Sequence, residues 1–263
     1  RSSIKVMGGY PSDAKTGAKS NPKENFTVMD GDPMPIKTYL FNSYGEALNI
    51  ELEGIYMRNV MSAIEGGAGS VVIARNCEFS NAPIVLSKSD SLSLINCTIK
   101  DISESSERTS PIVLDSLNSM VISSTSINNI YDGFCTYISP SHINTISIDN
   151  VNMSIGGLYD MGWINSAVVR NFDIVSRGIK VMVNDSILFE GGKISSSDSA
   201  SLGLFVDAKE RMALEDMSLS IKDVTIEGYN DGVVSYVPKV CLDNVTIKGD
   251  QGGYCLYAVH SSD

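Results

Sequence analysis

Several common signals are missing from this sequence of 263 residues. It has no run of about 18 apolar residues, so we expect no helical segment that crosses a membrane. It has no phosphate-binding loop, no dinucleotide-binding glycine motif and no Gly-X-Ser-X-Gly motif, which argues against the enzyme classes that carry them. The two histidines, His142 and His260, are isolated from each other. That isolation disfavours a zinc site or a histidine-based catalytic site.

Positive charge is scarce. The chain has 20 Lys and Arg against 31 Asp and Glu, which gives a formal net charge of -11. Nucleic acids and anionic membrane surfaces repel such a chain, so neither is an expected partner. The five cysteines lack zinc-site spacing, and no aspartate cluster suggests calcium, so we expect no metal and no other cofactor. Cys77 and Cys97 occupy one position in successive repeats, where stacked buried thiols are favoured and a disulfide stays open.

What the sequence does contain is a short apolar pattern that recurs nine times. Each copy has two apolar residues separated by one position, such as Leu92 and Leu94, and a third apolar residue five positions later. These third residues are Met57, Phe79, Ile99, Ile127, Met153, Ile174, Ile194, Ile226 and Ile247. They lie roughly 24 residues apart on average, which is a spacing typical of solenoid repeats.

A bend residue stands three positions before each third apolar residue. The nine bend residues are Gly54, Asn76, Asn96, Ser124, Asn150, Asn171, Gly191, Asp223 and Asn244. These residue types tolerate a left-handed backbone, while the alternating apolar pair forms the inner face of a strand. The pattern predicts an all-β fold: a right-handed parallel β-helix solenoid of about ten coils and three strand walls, as a single domain over residues 1–263. A β-sandwich is the alternative, but it does not require one bend residue at a constant offset.

A further apolar strand, here called the first strand, precedes most copies, and its fifth residue is expected to face outward. These residues are Ser87, Asp115, Tyr137, Met182, Asp207, Tyr236 and Tyr257. Tyrosines and carboxylates on one wall can stack on sugar rings and accept hydroxyl protons, so Asp115, Tyr137, Asp207, Tyr236 and Tyr257 are candidate glycan-binding residues. A plain strand surface with high β-propensity explains the same residues equally well. Trp163 and Met161 face either outward or inward together, and spacing to Asn171 favours the inward orientation.

Several longer phrases carry a family resemblance. They are Gly8-Gly9-Tyr10-Pro11, Thr27-Val28-Met29-Asp30-Gly31-Asp32, Leu94-Ile95-Asn96-Cys97-Thr98-Ile99 and Asp243-Asn244-Val245-Thr246-Ile247. They resemble extracellular right-handed parallel β-helix proteins of gut Bacteroidetes, which belong with the pectin-lyase-like and chondroitinase-B-like solenoids. The resemblance implies a secreted, periplasmic or outer-surface bacterial protein with a polysaccharide or glycan as partner. Residues 1–7 have a strand pattern from the start, so we expect a leader and earlier coils before this segment, which makes it the C-terminal part of a longer solenoid.

Some solenoids of this kind are enzymes, and each class of enzyme needs particular catalytic residues. A lyase needs a cation and a basic residue, and Lys180 is the only basic residue on the predicted outer face of the first strands, with Lys209 and Arg211 beyond it. A glycosidase needs two carboxyl groups, but Asp132 and Asp231 precede glycines at corners, where Asp-Gly simply favours turns. No catalytic residue is identified. We therefore expect a glycan-binding or adhesive scaffold; the alternative is a polysaccharide lyase or glycoside hydrolase acting on an acidic glycan.

Overall fold

The computed structural model describes residues 3–15, 18–21, 24–25, 27–31, 39–102, 110–130, 142–208, 216–249 and 253–258, without the side chains of 197–201. This part of the chain is all-β and contains no helix. The strands are, in chain order, β1 (Ser3–Met7), β2 (Thr27–Asp30), β3 (Tyr39–Asn42), β4 (Asn49–Glu53), β5 (Ile55–Arg58), β6 (Ser62–Gly66), β7 (Val71–Arg75), β8 (Glu78–Ser80), β9 (Ile84–Leu86), β10 (Ser89–Ile95), β11 (Thr98–Ile102), β12 (Ile112–Leu114), β13 (Ser116–Ser123), β14 (Ser126–Ile130), β15 (His142–Ile155), β16 (Tyr159–Val175), β17 (Ile179–Ala208), β18 (Ser218–Ser235), β19 (Lys239–Asp243), β20 (Thr246–Gly249) and β21 (Leu256–Ala258).

The strands pair in parallel with the equivalent strand of the next repeat. One series of pairs is β1–β4–β7–β10–β13–β15. A second series is β2–β5–β8–β11–β14–β15, and a third is β3–β6–β9–β12. The long strands β16, β17 and β18 continue the stacking through the second half of the described chain. Parallel pairing between equivalent strands of successive repeats is consistent with a β-helix solenoid.

The apolar pattern that predicted the repeats forms the interior. Leu92 lies between Val72 and Met120, and Ile99 lies between Phe79 and Ile127, with the same one-to-one register continuing in both directions. All of these side chains are buried. Each contributes about 1.5–3 kcal/mol through removal of its apolar surface from water. The prediction that the triplets face one common core is confirmed for the first eight, whereas Val240 and Ile247 of the last triplet are half-buried and Leu242 is exposed.

All nine predicted bend residues have a left-handed backbone, with φ between 49° and 67°. Several stack through their side chains: Asn96 Nδ2 donates to Asn76 Oδ1 at 2.5 Å, and Asn244 Nδ2 donates to Asp223 Oδ1 at 2.6 Å. A second row of left-handed residues, absent from the sequence prediction, lies five positions after the first. It consists of Asn59, Asn81, Asp101, Asn129 and Gly228. The chain therefore bends sharply before β5, β8, β11 and β14, and again directly after β5 and β8 and one residue before the ends of β11 and β14.

The residue directly after each bend points into the core. Cys77 and Cys97 occupy this position in neighbouring repeats as buried free thiols, whereas the free thiols of Cys241 and Cys255 are exposed. The hydrogen bond between the two buried thiols, together with burial, raises the pKa of Cys97. At the same position of two other neighbouring repeats, a large residue and glycine stand next to each other: Phe172 and Gly192. A Cβ on Gly192 would lie 2.7 Å from the Phe172 ring, so the glycine makes room for that ring.

Two polar rows run along the outside of the stack. Amide side chains connect one repeat to the next at the start of the strands that lead to the bends: Asn144 Nδ2 donates to Asn118 Oδ1, Asn165 Nδ2 to Asn144 Oδ1, and Asn184 Nδ2 to Asn165 Oδ1. Next to the bends, Glu190 accepts from Arg170 at 2.9 Å and from Lys222 at 3.3 Å. Both rows satisfy polar groups that the stacking of repeats brings close together.

Candidate functional site

Alternation along the first strands puts the predicted glycan-binding residues on the outer surface. Asp115, Asp207 and Tyr236 are half-buried, and Tyr257 is 42% exposed, whereas Leu114, Val206 and Ser235 beside the first three are buried. Tyr137, and the Asp132-Gly133 corner before it, lie outside the described residues. The structure thus has four of the five candidates on an outward face, which is what strand alternation requires.

The last repeat is shifted relative to the sequence alignment. The sequence pattern predicts that Asp207, Tyr236 and Tyr257 are equivalent, but Leu256 pairs with Val233, which in turn pairs with Leu204. Tyr257 is therefore level with Val234 and Phe205, and not with Tyr236 and Asp207. The shift of two residues keeps Tyr257 facing outward, because strand alternation has a period of two.

The shift brings four aromatic rings into succession, and we call Phe205, Tyr236, Tyr257 and Tyr254 the aromatic row. Ring centroids are 5.7 Å apart for Phe205 and Tyr236, 6.4 Å for Tyr236 and Tyr257, and 5.6 Å for Tyr257 and Tyr254. These tilted and edge-on contacts are within the distances of favourable aromatic pairs. Phe205 and Tyr254 were not among the predicted residues. Phe205 could have been found from its outward position two residues before Asp207.

Carboxylates adjoin the aromatic row, although they are held by backbone groups. Asp207 Oδ1 accepts a hydrogen bond from the Ala208 amide at 2.8 Å, and Asp231 Oδ1 accepts one from the Tyr254 amide at 2.8 Å. The second bond fixes the start of the last described segment against the preceding repeat. Each carboxylate retains further lone pairs for a ligand hydroxyl.

Asp115 does not belong to this cluster. It lies in the part of the chain beside β12 and accepts a hydrogen bond from Ser87 Oγ at 3.1 Å. Several repeats separate it from the aromatic row, each adding about 4.8 Å along the stack. The candidate residues therefore form a row around Tyr236 and a separate polar position at Asp115.

The prediction that Trp163 faces the core is wrong. Trp163 is half-buried and level with His142 and Met182, whereas Met161 is buried. Gly162 has φ 70°, and the register shifts between Asp160 and Trp163. This bulge breaks the alternation and turns the indole outward. Counting back from Asn171 could not reveal an inserted residue.

The basic residue expected on the first-strand face is paired. Lys180 Nζ lies 3.6 Å from Asp160 Oδ2. Lys209 and Arg211 lie outside the described residues, as does His260. Among the residues that the structure describes, no three His, Cys, Asp or Glu side chains come together where they could hold a metal ion. A helix long and apolar enough to span a membrane is likewise absent from the described ranges.

Comparisons with protein-family models, with curated proteins and with solved structures find no match to this chain.

Proposed function

We propose that the chain is a right-handed parallel β-helix of about ten coils and three strand walls that acts as an extracellular glycan-binding scaffold. The resemblance to Bacteroidetes β-helix proteins supports a secreted, periplasmic or outer-surface location. The aromatic row is the proposed binding surface. The observation that carries the proposal is the succession of four rings on one outer face, three of them tyrosines.

The chemistry of this surface suits sugars. A pyranose ring presents a face of C–H groups that packs on an aromatic ring, and its hydroxyls bond to phenol and carboxylate oxygens. Tyr254 and Tyr257 are 64% and 42% exposed, so their rings are open to such contacts. Phe205 and Tyr257 belong to β17 and β21, and Tyr236 directly follows β18, so paired strands hold these rings in position and lower the entropy lost on binding.

The rival function is a polysaccharide lyase or glycoside hydrolase acting on an acidic glycan. Such an enzyme would need basic residues free to bind a sugar carboxylate. The paired state of Lys180 gives that rival no support from the described residues.

The test is a binding screen of the protein against immobilised glycans, followed by calorimetry on the best ligand. We expect Tyr236→Ala and Phe205→Ala each to weaken binding about tenfold, a loss of about 1.4 kcal/mol. Tyr44→Ala is the matched control, because Tyr44 is 92% exposed and lies in a turn away from the row. Unchanged affinity in both row variants would contradict the proposed surface. Unsaturated products from a uronic-acid glycan would establish the lyase instead.

A further inference from the structure

The outer surface is concave along the bends. A cavity of about 490 Å³ lies at the first described bends and is bordered by Tyr56, Glu78 and Asn76. A second cavity of about 520 Å³ continues along the stack beside Ser126, Asn152 and Asp173. Asn96 and Thr98 border both cavities, so the two adjoin along the stack, and we call them together the bend groove. Each volume lies within the range of about 300–1,000 Å³ that is usual for ligand pockets.

One outward side chain from each repeat lines the groove. The row is in strict parallel register and consists of Tyr56, Glu78, Thr98, Ser126, Asn152 and Asp173. Successive members lie about 4.8 Å apart, so the row spans about 24 Å. All six can form hydrogen bonds, and hydroxyl and amide groups occupy the third to fifth positions.

The first end of the groove is built from several elements. The ring of Tyr56 has Arg58 at 5.7 Å and Lys100 at 5.9 Å from its centroid. Ser20 and Asn21 form part of the cavity border there. Their loop is held in place because Ser20 Oγ donates to the Gly8 carbonyl at 2.7 Å and the Asn21 amide donates to the Gly9 carbonyl at 2.6 Å. The groove thus begins at the ring of Tyr56, next to a loop that is held in place by the hydrogen bonds of Ser20 and Asn21.

Charge decides which ligand suits the groove. Glu78 is paired with Lys100 at 2.5 Å, and this hydrogen bond raises the pKa of the lysine. At the other end, Asp173 is level with Lys193 of the next repeat. The centre carries only the neutral side chains of Thr98, Ser126 and Asn152. A polyanion would meet carboxylates without a free row of cations, whereas a neutral polyhydroxyl chain finds donors and acceptors at each repeat.

We propose that the bend groove binds a neutral linear oligosaccharide that lies along the stack, with Tyr56 as the stacking ring at one end. The inference shares with the proposed function only the class of ligand. It concerns a different surface, formed by the bend residues and the second series of strands, and it does not require the aromatic row.

The test is calorimetry with neutral oligosaccharides of increasing length, such as xylo-, manno- and cello-oligosaccharides, with oligogalacturonate as the anionic comparison. Affinity is expected to rise with length until the chain covers about 24 Å of the groove. Thr98→Lys places a long cation in the centre and should weaken binding at least tenfold. Thr225→Lys is the matched control, since Thr225 is also half-buried and occupies the same outward row beyond the two cavities.

Circular dichroism and thermal unfolding of both lysine variants verify that they fold. The proposal is overturned if the unaltered protein binds none of the neutral oligosaccharides, if Thr98→Lys binds as well as Thr225→Lys, or if oligogalacturonate binds more tightly than every neutral chain. Tyr236→Ala and Phe205→Ala separate the two surfaces. Loss of binding in Thr98→Lys but not in these two variants supports the groove and contradicts the aromatic row. Loss of binding in Tyr236→Ala and Phe205→Ala but not in Thr98→Lys supports the aromatic row and contradicts the groove.

Discussion

Two sides of the molecule differ in regularity. The bend side consists of the nine bend residues and the strands that flank them, and the first-strand side consists of the strands that precede the apolar triplets. On the bend side, every one of the nine predicted bend residues has a positive φ, and equivalent residues pair from repeat to repeat. On the first-strand side, Gly162 introduces a bulge, and the last repeat pairs two residues away from its apparent alignment. One side thus repeats faithfully, whereas the other varies between repeats.

The difference has a local cause. A bend is made by one residue, and the identity of that residue restricts the backbone to a left-handed conformation directly. The connections that lead into the first strands differ in length from repeat to repeat. The number of residues in a connection therefore does not determine the register of the strand, which depends instead on contacts with the neighbouring repeats. Long connections are also where repeat proteins place variable surfaces. The aromatic row belongs to the variable side, whereas the bend groove belongs to the regular one.

The largest expected effect tests whether the regular side is held by its interior. Leu94 is fully buried between Ala74 and Ile122, and Leu94→Ala should lower the free energy of unfolding by about 2–5 kcal/mol. Leu242 occupies the same slot in the last repeat but is 38% exposed, so Leu242→Ala should cost less than half as much. Denaturant unfolding of both variants measures the difference. Equal losses would show that interior stacking does not set the stability of this side.

A second prediction concerns Gly192, a close-packed glycine directly after a bend. Gly192→Val should destabilise by about 1–3 kcal/mol, because a Cβ there approaches the Phe172 carbonyl oxygen at 2.5 Å as well as the ring. Val151 and Val224 occupy this slot in other repeats, so valine itself suits the position.

The pair can be tested as a double-mutant cycle. Phe172→Val removes the ring that Gly192 accommodates, so the double variant with Gly192→Val should be more stable than the sum of the single changes predicts. Thermal unfolding of the four proteins measures the coupling. Strict additivity would show that the carbonyl contact, and not the ring, excludes a side chain at 192.

Much of the regular side could be predicted from sequence, because bend type and apolar spacing are both local properties. The triplet ending at Ile99 and the bend at Asn96 needed only counting. The same counting was not enough for Trp163 and Tyr257. A bulge before Trp163 and a register shift of the repeat that contains Tyr257 change their positions, and neither can be recognised from the spacing of apolar residues. The second row of bends at Asn59 and Asn81 had a signal, an Asn five residues after each first bend in those repeats. The groove depends on the angle between strands, which the sequence pattern does not contain.

A third prediction separates backbone conformation from amide stacking. Asn96 has φ 53° and donates to Asn76, whereas Asn165 has no left-handed backbone and bonds to Asn144 and Asn184. Asn96→Ala should cost about 1–2 kcal/mol, part of which Asn96→Gly restores, because glycine adopts the left-handed conformation without strain.

At Asn165 the order of the same two replacements should reverse. Asn165→Gly should be less stable than Asn165→Ala by about 0.5–1 kcal/mol. Glycine loses more conformational entropy on folding, and in an ordinary strand it relieves no backbone strain in return. Denaturant midpoints of the four variants decide the matter. Alanine above glycine at both positions would mean that the bend is imposed by stacking of the repeats and not by the residue at 96.

The smallest effect concerns the charged row beside the bends. Hydrogen bonds from Arg170 and then Lys222 hold the pKa of Glu190 below its ordinary value of 4.5. A lowered pKa in the folded state means that the stabilisation is fully present above the ordinary value and is lost as the pH falls through the lowered folded value. The stability difference between the unaltered protein and Glu190→Gln should therefore shrink as the pH falls from about 7 to about 3. Glu46→Gln is the control, because Glu46 is exposed and has no ion pair within the described ranges. Urea unfolding across this pH range, repeated at high salt, checks the result. A difference for Glu190→Gln that is constant with pH would mean that the row beside the bends is held by packing, with no contribution from its charges.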